Sequence, residues 1–221
     1  MKRFSTHLLP TLVALSVLAA CGGQDAPQDA PASDASPGAA PAASAAPVAN
    51  ASGLSCYLEG ATPAEAQARV SPHTSLSFSI GAINLLLCYG APSVQGREIF
   101  GGLEPYGVPW RIGADEPTTL HVSSPVNVGG IALEPGSYSL YAIPGETQWQ
   151  FFINSNWQRW GIPIDAAVRA TEIGSFTVTP LTLPETVEQL RYVWEPAAGG
   201  DPGGELLLEW ENTALPIPIE G

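Results

Sequence analysis

The fold class this sequence predicts is mainly β, an antiparallel β-sandwich or open barrel with a short N-terminal helix. Three observations predict it. From Ser75 onward apolar residues recur at every second position rather than every third or fourth. The runs that alternate are short, as strands are. Gly- and Pro-containing turns separate them.

Each element has its own local reason. Thr62-Pro63-Ala64-Glu65 is a capping box with Pro at the first helical position, which predicts a helix over 63–69. Ser75-Leu76-Ser77-Phe78-Ser79-Ile80 alternates cleanly, and Gly81-Ala82 can turn the chain into Ile83–Tyr89, a two-residue hairpin. Further strands are expected at Thr118–Ser123, Ser137–Ile143, Gln148–Asn154, Gly174–Thr179, Val187–Trp194 and Gly204–Glu211. Pro135-Gly136 and Pro144-Gly145 suit type II turns, and Ala198–Gly204 reads as a loop between two strands. The stretch from Gly90 to Thr118 holds too many Gly and Pro residues for a regular element.

Ahead of this domain the sequence changes character twice. Lys2 and Arg3 precede an apolar run, Leu8–Leu18, and Leu18-Ala19-Ala20-Cys21 closes it, the pattern of a secretory signal over residues 1–20. The run is short for a membrane-spanning helix, which needs about 20 apolar residues. Cleavage after Ala20 could release an ordinary secreted protein. The cysteine at that point instead looks like a bacterial lipobox, with Cys21 as the lipidation site and the membrane as a partner through the lipid. Each buried methylene of such a lipid adds roughly 0.8 kcal/mol. Gly22 follows, and similarity to enterobacterial lipoproteins then implies an outer-membrane rather than an inner-membrane destination. The expected location is the bacterial cell envelope, with the domain outside the cytoplasm. Residues 21–54 form the anchor and its linker: 25 of the 33 residues from Gly22 to Leu54 are Ala, Pro, Gly or Ser, too few apolar groups to offset the ordering entropy. Such a tether spans about 30 Å as a coil and about 100 Å when extended. Residues 55–221 are then the folded domain.

Charge and cysteine content narrow the partners. Without residues 1–20 the chain has six arginines (Arg69, Arg97, Arg111, Arg159, Arg169 and Arg191) and no lysine against 21 acidic residues, a net charge of −15. That balance repels phosphate backbones, so nucleic acid is excluded as a partner. With Cys21 acylated, Cys56 and Cys88 remain, an even number in an oxidising compartment, and a disulfide between them is expected. It would contribute about 3–4 kcal/mol in the chain-entropy picture. Two buried free thiols are the alternative, because Cys88 sits in an apolar strand.

A run of motifs between Ser71 and Trp160 resembles a known family. Its members are Ser71-Pro72, Tyr89, Pro92, Gly96-Arg97, Ile99-Phe100-Gly101, Pro105-Tyr106-Gly107, Trp110-Arg111, Gly113-Ala114, Glu116 and Thr118, followed by Pro135–Leu140, Ile143-Pro144-Gly145-Glu146, Trp149 and Asn154. In order and spacing these are similar to the bacterial domain-of-unknown-function family 2911, and the later strands through Leu208-Glu209-Trp210-Glu211 fit it too. The resemblance implies a secreted or lipid-anchored β-rich domain and brings no activity or catalytic residues with it. The chain departs from that pattern at Ala91 and Gln95, where basic residues are usual or frequent, and at Asp115, where Asn is usual.

The residues themselves offer little catalytic chemistry. There is no Gly-x-Ser-x-Gly elbow, no phosphate-binding glycine loop and no His-Glu-x-x-His helix. His73 and His121 lie far apart, so no metal site and no cofactor are expected. In its strand His121 points away from the face shared by Leu120 and Val122, to solvent or to a second layer. One constellation stands out in the long loop: Arg97, Trp110, Arg111, Asp115 and Glu116, with His121 just beyond. Arginines suit a planar anion, and the paired carboxylates suit a hard cation or acid–base work. The plainer reading is that Arg97 and Arg111 pin the loop to Asp115 and Glu116, gathered on one side of the domain, and it is the one favoured here. Trp149 should be core, in phase with Phe151 and Ile153, whereas Trp157 and Trp160 could stack on a ligand ring. The Asp201 loop is a weak calcium candidate. Two function classes follow. One is a non-enzymatic envelope module that binds a small molecule, a glycan or a protein, or is purely structural. The other is a hydrolase-like enzyme using Asp115, Glu116 and His121. The missing nucleophile favours the first.

Overall fold

The computed structural model describes residues 53–221. The expected lipidation site Cys21, the expected signal segment and nearly all of the expected linker lie outside them. The helix α1 (Pro63–Gln67) starts on the expected capping box: the Thr62 side chain accepts from the Glu65 N–H while the Glu65 carboxylate takes the Thr62 N–H. It is followed by β1 (His73–Ile80), β2 (Ile83–Gly90), β3 (Ala114–Val122), β4 (Val126–Val128), β5 (Ile131–Leu133), β6 (Gly136–Ile143), β7 (Trp149–Asn154), the one-turn helix α2 (Ala166–Arg169), β8 (Glu172–Val178), β9 (Leu181–Pro196) and β10 (Gly203–Glu220).

These strands make two antiparallel sheets, as the alternation predicted. One has six strands in the order β1-β2-β3-β6-β7-β8, the other four in the order β5-β4-β10-β9. The first hairpin closes where expected, with Ile80 opposite Ile83 and Gly81 in the left-handed region at φ 57°. Neither sheet closes on itself, so the architecture is open, with an end strand at each side.

The core lies between the sheets. The six-stranded sheet sends in Leu85 and Leu87, Leu120, Leu140, Phe151 and Ile153. The four-stranded sheet answers mainly from β10, whose inward positions are even-numbered at Leu206, Leu208 and Trp210 but odd-numbered at Leu215, Ile217 and Ile219. The switch occurs at Glu211, which has φ 54° and sits between two register shifts against β9. One displaced residue exchanges the two faces of a strand, so the bulge keeps a long strand apolar on the same side throughout. At one end four large rings pack together: Trp110 stacks on Trp210 at 5.8 Å, and Phe100 meets Trp149 edge-on at 4.8 Å.

The outer face of the six-stranded sheet is also covered, and there the layer is polar. Thr119, His121, Ser139, Tyr141 and Asn154 are all buried on it. The segment from Ser155 to Thr171 caps them: Asn154 donates to the Val168 carbonyl at 2.6 Å and accepts from the Asn156 N–H at 2.7 Å, and Ser139 donates to the Asn156 carbonyl. Cys56 and Cys88 are bonded, with Cα atoms 5.7 Å apart, and fasten the N-terminal segment to the same face.

Candidate functional site

The candidate constellation is built around Glu116. It sits in β3 and is 2% exposed. Both of its oxygens are occupied by the segment before β1. Arg69, just beyond α1, donates through Nη1 to Oε2 at 2.6 Å and through Nη2 to Oε1 at 3.1 Å, and the Glu59 N–H donates to Oε1 at 3.0 Å. The bidentate contact raises the Arg69 pKa further. Asp115 lies 3.8 Å from Arg69, and the guanidinium also stands over the Trp160 ring at 5.7 Å. His73 is close enough to feel all three charges, and burial, aided by Arg69, outweighs Glu116 and Asp115 and lowers its pKa.

Asp115 has φ 61°, a conformation in which short polar residues are tolerated and branched ones are not. Its carbonyl accepts the Gly161 N–H at 3.0 Å. A side chain at position 161 would strike that carbonyl and the Arg111 side chain, so glycine is required for the two segments to meet.

The remaining expected residues fall into different surroundings. The Arg97 and Arg111 guanidiniums form no ion pair within 4 Å among the described residues. Arg97 instead holds its own loop, donating to the Ser93 and Val94 carbonyls. Arg111 donates to the Gly113 carbonyl at 3.3 Å, and burial lowers its pKa although Asp115, Glu104 and Glu116 lie near enough to oppose this. The expectation that these two arginines pair with Asp115 and Glu116 is therefore corrected: Arg69 makes those contacts. Trp110, read as part of a loop site, belongs to the core at 5% exposure, because its backbone pairs with Ala142 in both directions and turns the indole inward.

His121 faces the polar second layer. It contacts Ser137 Oγ through Nδ1 at 2.7 Å and Thr119 Oγ1 through Nε2 at 3.2 Å, and Trp157 closes over it edge-on at 5.4 Å. Burial lowers its pKa to about 4, so it is neutral at pH 7. Its hydrogen-bond partners and those of Glu116 are different residues. Trp149 is core as expected, Trp157 also touches Tyr57, and Trp160 remains 40% exposed. No cluster of three or more His, Cys, Asp or Glu residues among the described residues could hold a metal ion.

Sequence reasoning missed Arg69, Glu104 and a groove beside β9. Arg69 follows an exposed helix, and nothing local marks its partner 47 positions away. Glu104 is half-buried in the long loop, and desolvation raises its pKa to about 7 against the pull of Arg111 and Arg97. The groove, of about 710 Å3, runs beside β9; Thr74, Tyr89 and Ala91 form its other wall. None of the expected site residues lines it.

A family model described as a protein of unknown function, DUF2911, matches residues 71–219. That agrees with the resemblance carried by the motifs from Ser71 onward. No curated protein and no solved structure matches the chain.

Proposed function

The chain belongs to the DUF2911 family, and from that premise we propose that it is a lipid-anchored envelope protein whose β domain binds a partner and does not catalyse a reaction. The observation that supports this reading is the state of Glu116. A general acid, a general base or a metal ligand needs a free oxygen facing a substrate-sized gap. Glu116 is buried, and its oxygens are engaged by Arg69 and the Glu59 N–H. His121 is likewise enclosed by Thr119, Ser137 and Trp157. Glu116 and His121, two of the residues a hydrolase would use here, serve as fasteners, and the open groove lies elsewhere.

The anchoring half of the proposal rests on Leu18-Ala19-Ala20-Cys21 and the Ala/Pro-rich tether that follows. In a bacterium that processes lipoproteins, the wild-type chain should take up labelled palmitate and sediment with outer-membrane fractions. Cys21→Ser should lose the label and release the domain in soluble form. Label and membrane retention both persisting in Cys21→Ser would overturn the anchoring. Hydrolysis of generic ester or glycoside substrates by the wild type, lost in a stable Glu116→Gln variant, would overturn the non-catalytic reading.

A further inference from the structure

A smaller pocket, of about 350 Å3, opens at the end of the sandwich where the large rings pack. Phe100 and Trp149, two of those rings, line it together with Tyr106, from the loop that follows Phe100. The β6–β7 turn contributes Glu146, and β9 and β10 contribute the hydroxyl-bearing Thr182 and Thr213. Glu146 is the single charged residue of the lining; no Lys, Arg or His lines it. Among the described residues Glu146 makes no ion pair within 4 Å.

The walls are fixed by contacts within the protein. Gly101 has φ 90°, and a Cβ there would come within 2.9 Å of the Tyr106 ring, so the ring rests against bare backbone. The Gly101 N–H donates to the Glu104 carbonyl at 3.0 Å and closes the loop. The Gly107 N–H donates to the Pro144 carbonyl at 2.8 Å, which pins Tyr106 beside the turn that carries Glu146. Behind them Phe100 and Trp149 meet at 4.8 Å with their planes 80° apart. Tyr106 nevertheless stays 43% exposed, and Leu181, also in the lining, is exposed too. Leu103 and Val108, on either side of Tyr106 in the loop, are exposed apolar residues as well. Apolar groups left in water beside a pocket mark a surface that meets a ligand.

We propose that this pocket binds a small organic cation, an ammonium group carrying methyl or other alkyl substituents. This rests on the reading of the domain as a binding module and names its ligand class. A carboxylate with no basic neighbour in the lining attracts a cation and rejects an anion, and the net charge of −15 without residues 1–20 acts in the same direction at longer range. Aromatic rings hold alkylated ammonium groups through the negative potential of their faces. A bare ammonium is strongly hydrated, and alkyl substituents reduce what it loses on leaving water. The same substituents cover the exposed Tyr106 ring and Leu181. A ligand of this class therefore satisfies the charge and the apolar rim together.

The test is calorimetric titration of the full chain with choline, and with 3,3-dimethyl-1-butanol, which has the same shape and no charge. Choline should bind, and the neutral isostere should bind at least about tenfold more weakly. Tyr106→Leu, which keeps an apolar wall and removes the ring, should raise the choline Kd at least about tenfold. Glu146→Gln, on an exposed side chain, should do the same with an unchanged melting temperature. Equal affinity for choline and its isostere would overturn the proposal and leave an apolar pocket. Choline binding unaltered in both variants would overturn it in favour of general attraction to an acidic surface. Binding of glucose without binding of choline would overturn it in favour of a neutral sugar. No binding of choline by a stable wild-type protein would overturn the ligand class alone. The non-catalytic reading fails separately, on hydrolysis lost in Glu116→Gln, and the anchoring on the fractionation of Cys21→Ser.

Discussion

Arg69 and Glu116, 47 positions apart, are joined by two hydrogen bonds of 2.6 and 3.1 Å, and this contact ties the segment before β1 to the middle of the six-stranded sheet. The disulfide between Cys56 and Cys88 makes a second tie to the same sheet. Arg111, by contrast, makes one 3.3 Å bond within its own loop. Removing Arg69 leaves the buried Glu116 carboxyl group without its ion-pair partner and held by a single N–H, a situation that costs about 3 kcal/mol. Arg69→Met should lose that much in urea unfolding, and Arg111→Met about 1 kcal/mol or less. Equal losses would return the pinning role to Arg111.

Acid should weaken the fold partly through His121. Its pKa is about 4 in the folded protein and 6.5 ordinarily. Between those values the unfolded chain binds the additional proton, so stability is full above about pH 6.5 and falls as the pH drops towards 4. The loss attributable to this group is at most roughly 3 kcal/mol. Unfolding free energies measured from pH 7 to pH 4 should fall less steeply in His121→Gln than in the wild type. Parallel curves would mean that the imidazole is not kept neutral by burial.

Glu104 should act in the opposite sense. Its folded pKa of about 7 exceeds the ordinary 4.5, so the native state holds a proton that the unfolded chain releases. The stability this lends is complete below pH 4.5 and is lost as the pH rises through 7. Glu104→Gln, fixed in the neutral form, should be more stable than the wild type at pH 8, by about 1 kcal/mol after allowance for partial exposure. At pH 4 the two proteins should unfold alike.

Backbone conformation predicts the tolerance of position 115. Asp115→Asn should fold with unchanged stability, because Asn accepts φ 61° as readily as Asp. Asp115→Val should lose about 1–2 kcal/mol from left-handed strain alone. A melting temperature for the valine variant equal to wild type would show that the loop relaxes around it.

Local patterns made most strands legible. Ser75–Ile80 and Ile83–Tyr89 are hairpin sequences with a glycine turn, and they became β1 and β2 with one or two more residues. The strand expected at Gly204–Glu211 is longer, β10 continuing to Glu220 through Pro216 and Pro218, which lack the N–H that a paired strand position needs. They are accommodated because the pairing with β9 ends at Ala214 and that with β4 begins at Ile219. β9 was cut short at Val187 because Pro184-Glu185-Thr186 has no apolar alternation, which is the composition of an unpaired edge. β4 and β5, three residues each, are too short to show a period.

The candidate site was legible as a set of residue types and not as a set of contacts. Asp115 and Glu116 lie where a charged cluster forms, but an ion pair across 47 residues leaves no mark in local sequence. Trp110 looked like a loop aromatic because its pairing with Ala142 is an isolated bridge outside any alternating run.

A double-mutant cycle on Arg69→Met and Glu116→Gln, followed by urea unfolding at pH 7, tests the central claim most directly: that this polar cluster holds the fold together and is not a reaction site. The account predicts that each single change lowers stability and that the two are coupled by at least about 2 kcal/mol, because each residue is the other's main partner. Additive changes of a few tenths of a kcal/mol in a protein that keeps its melting temperature would contradict it.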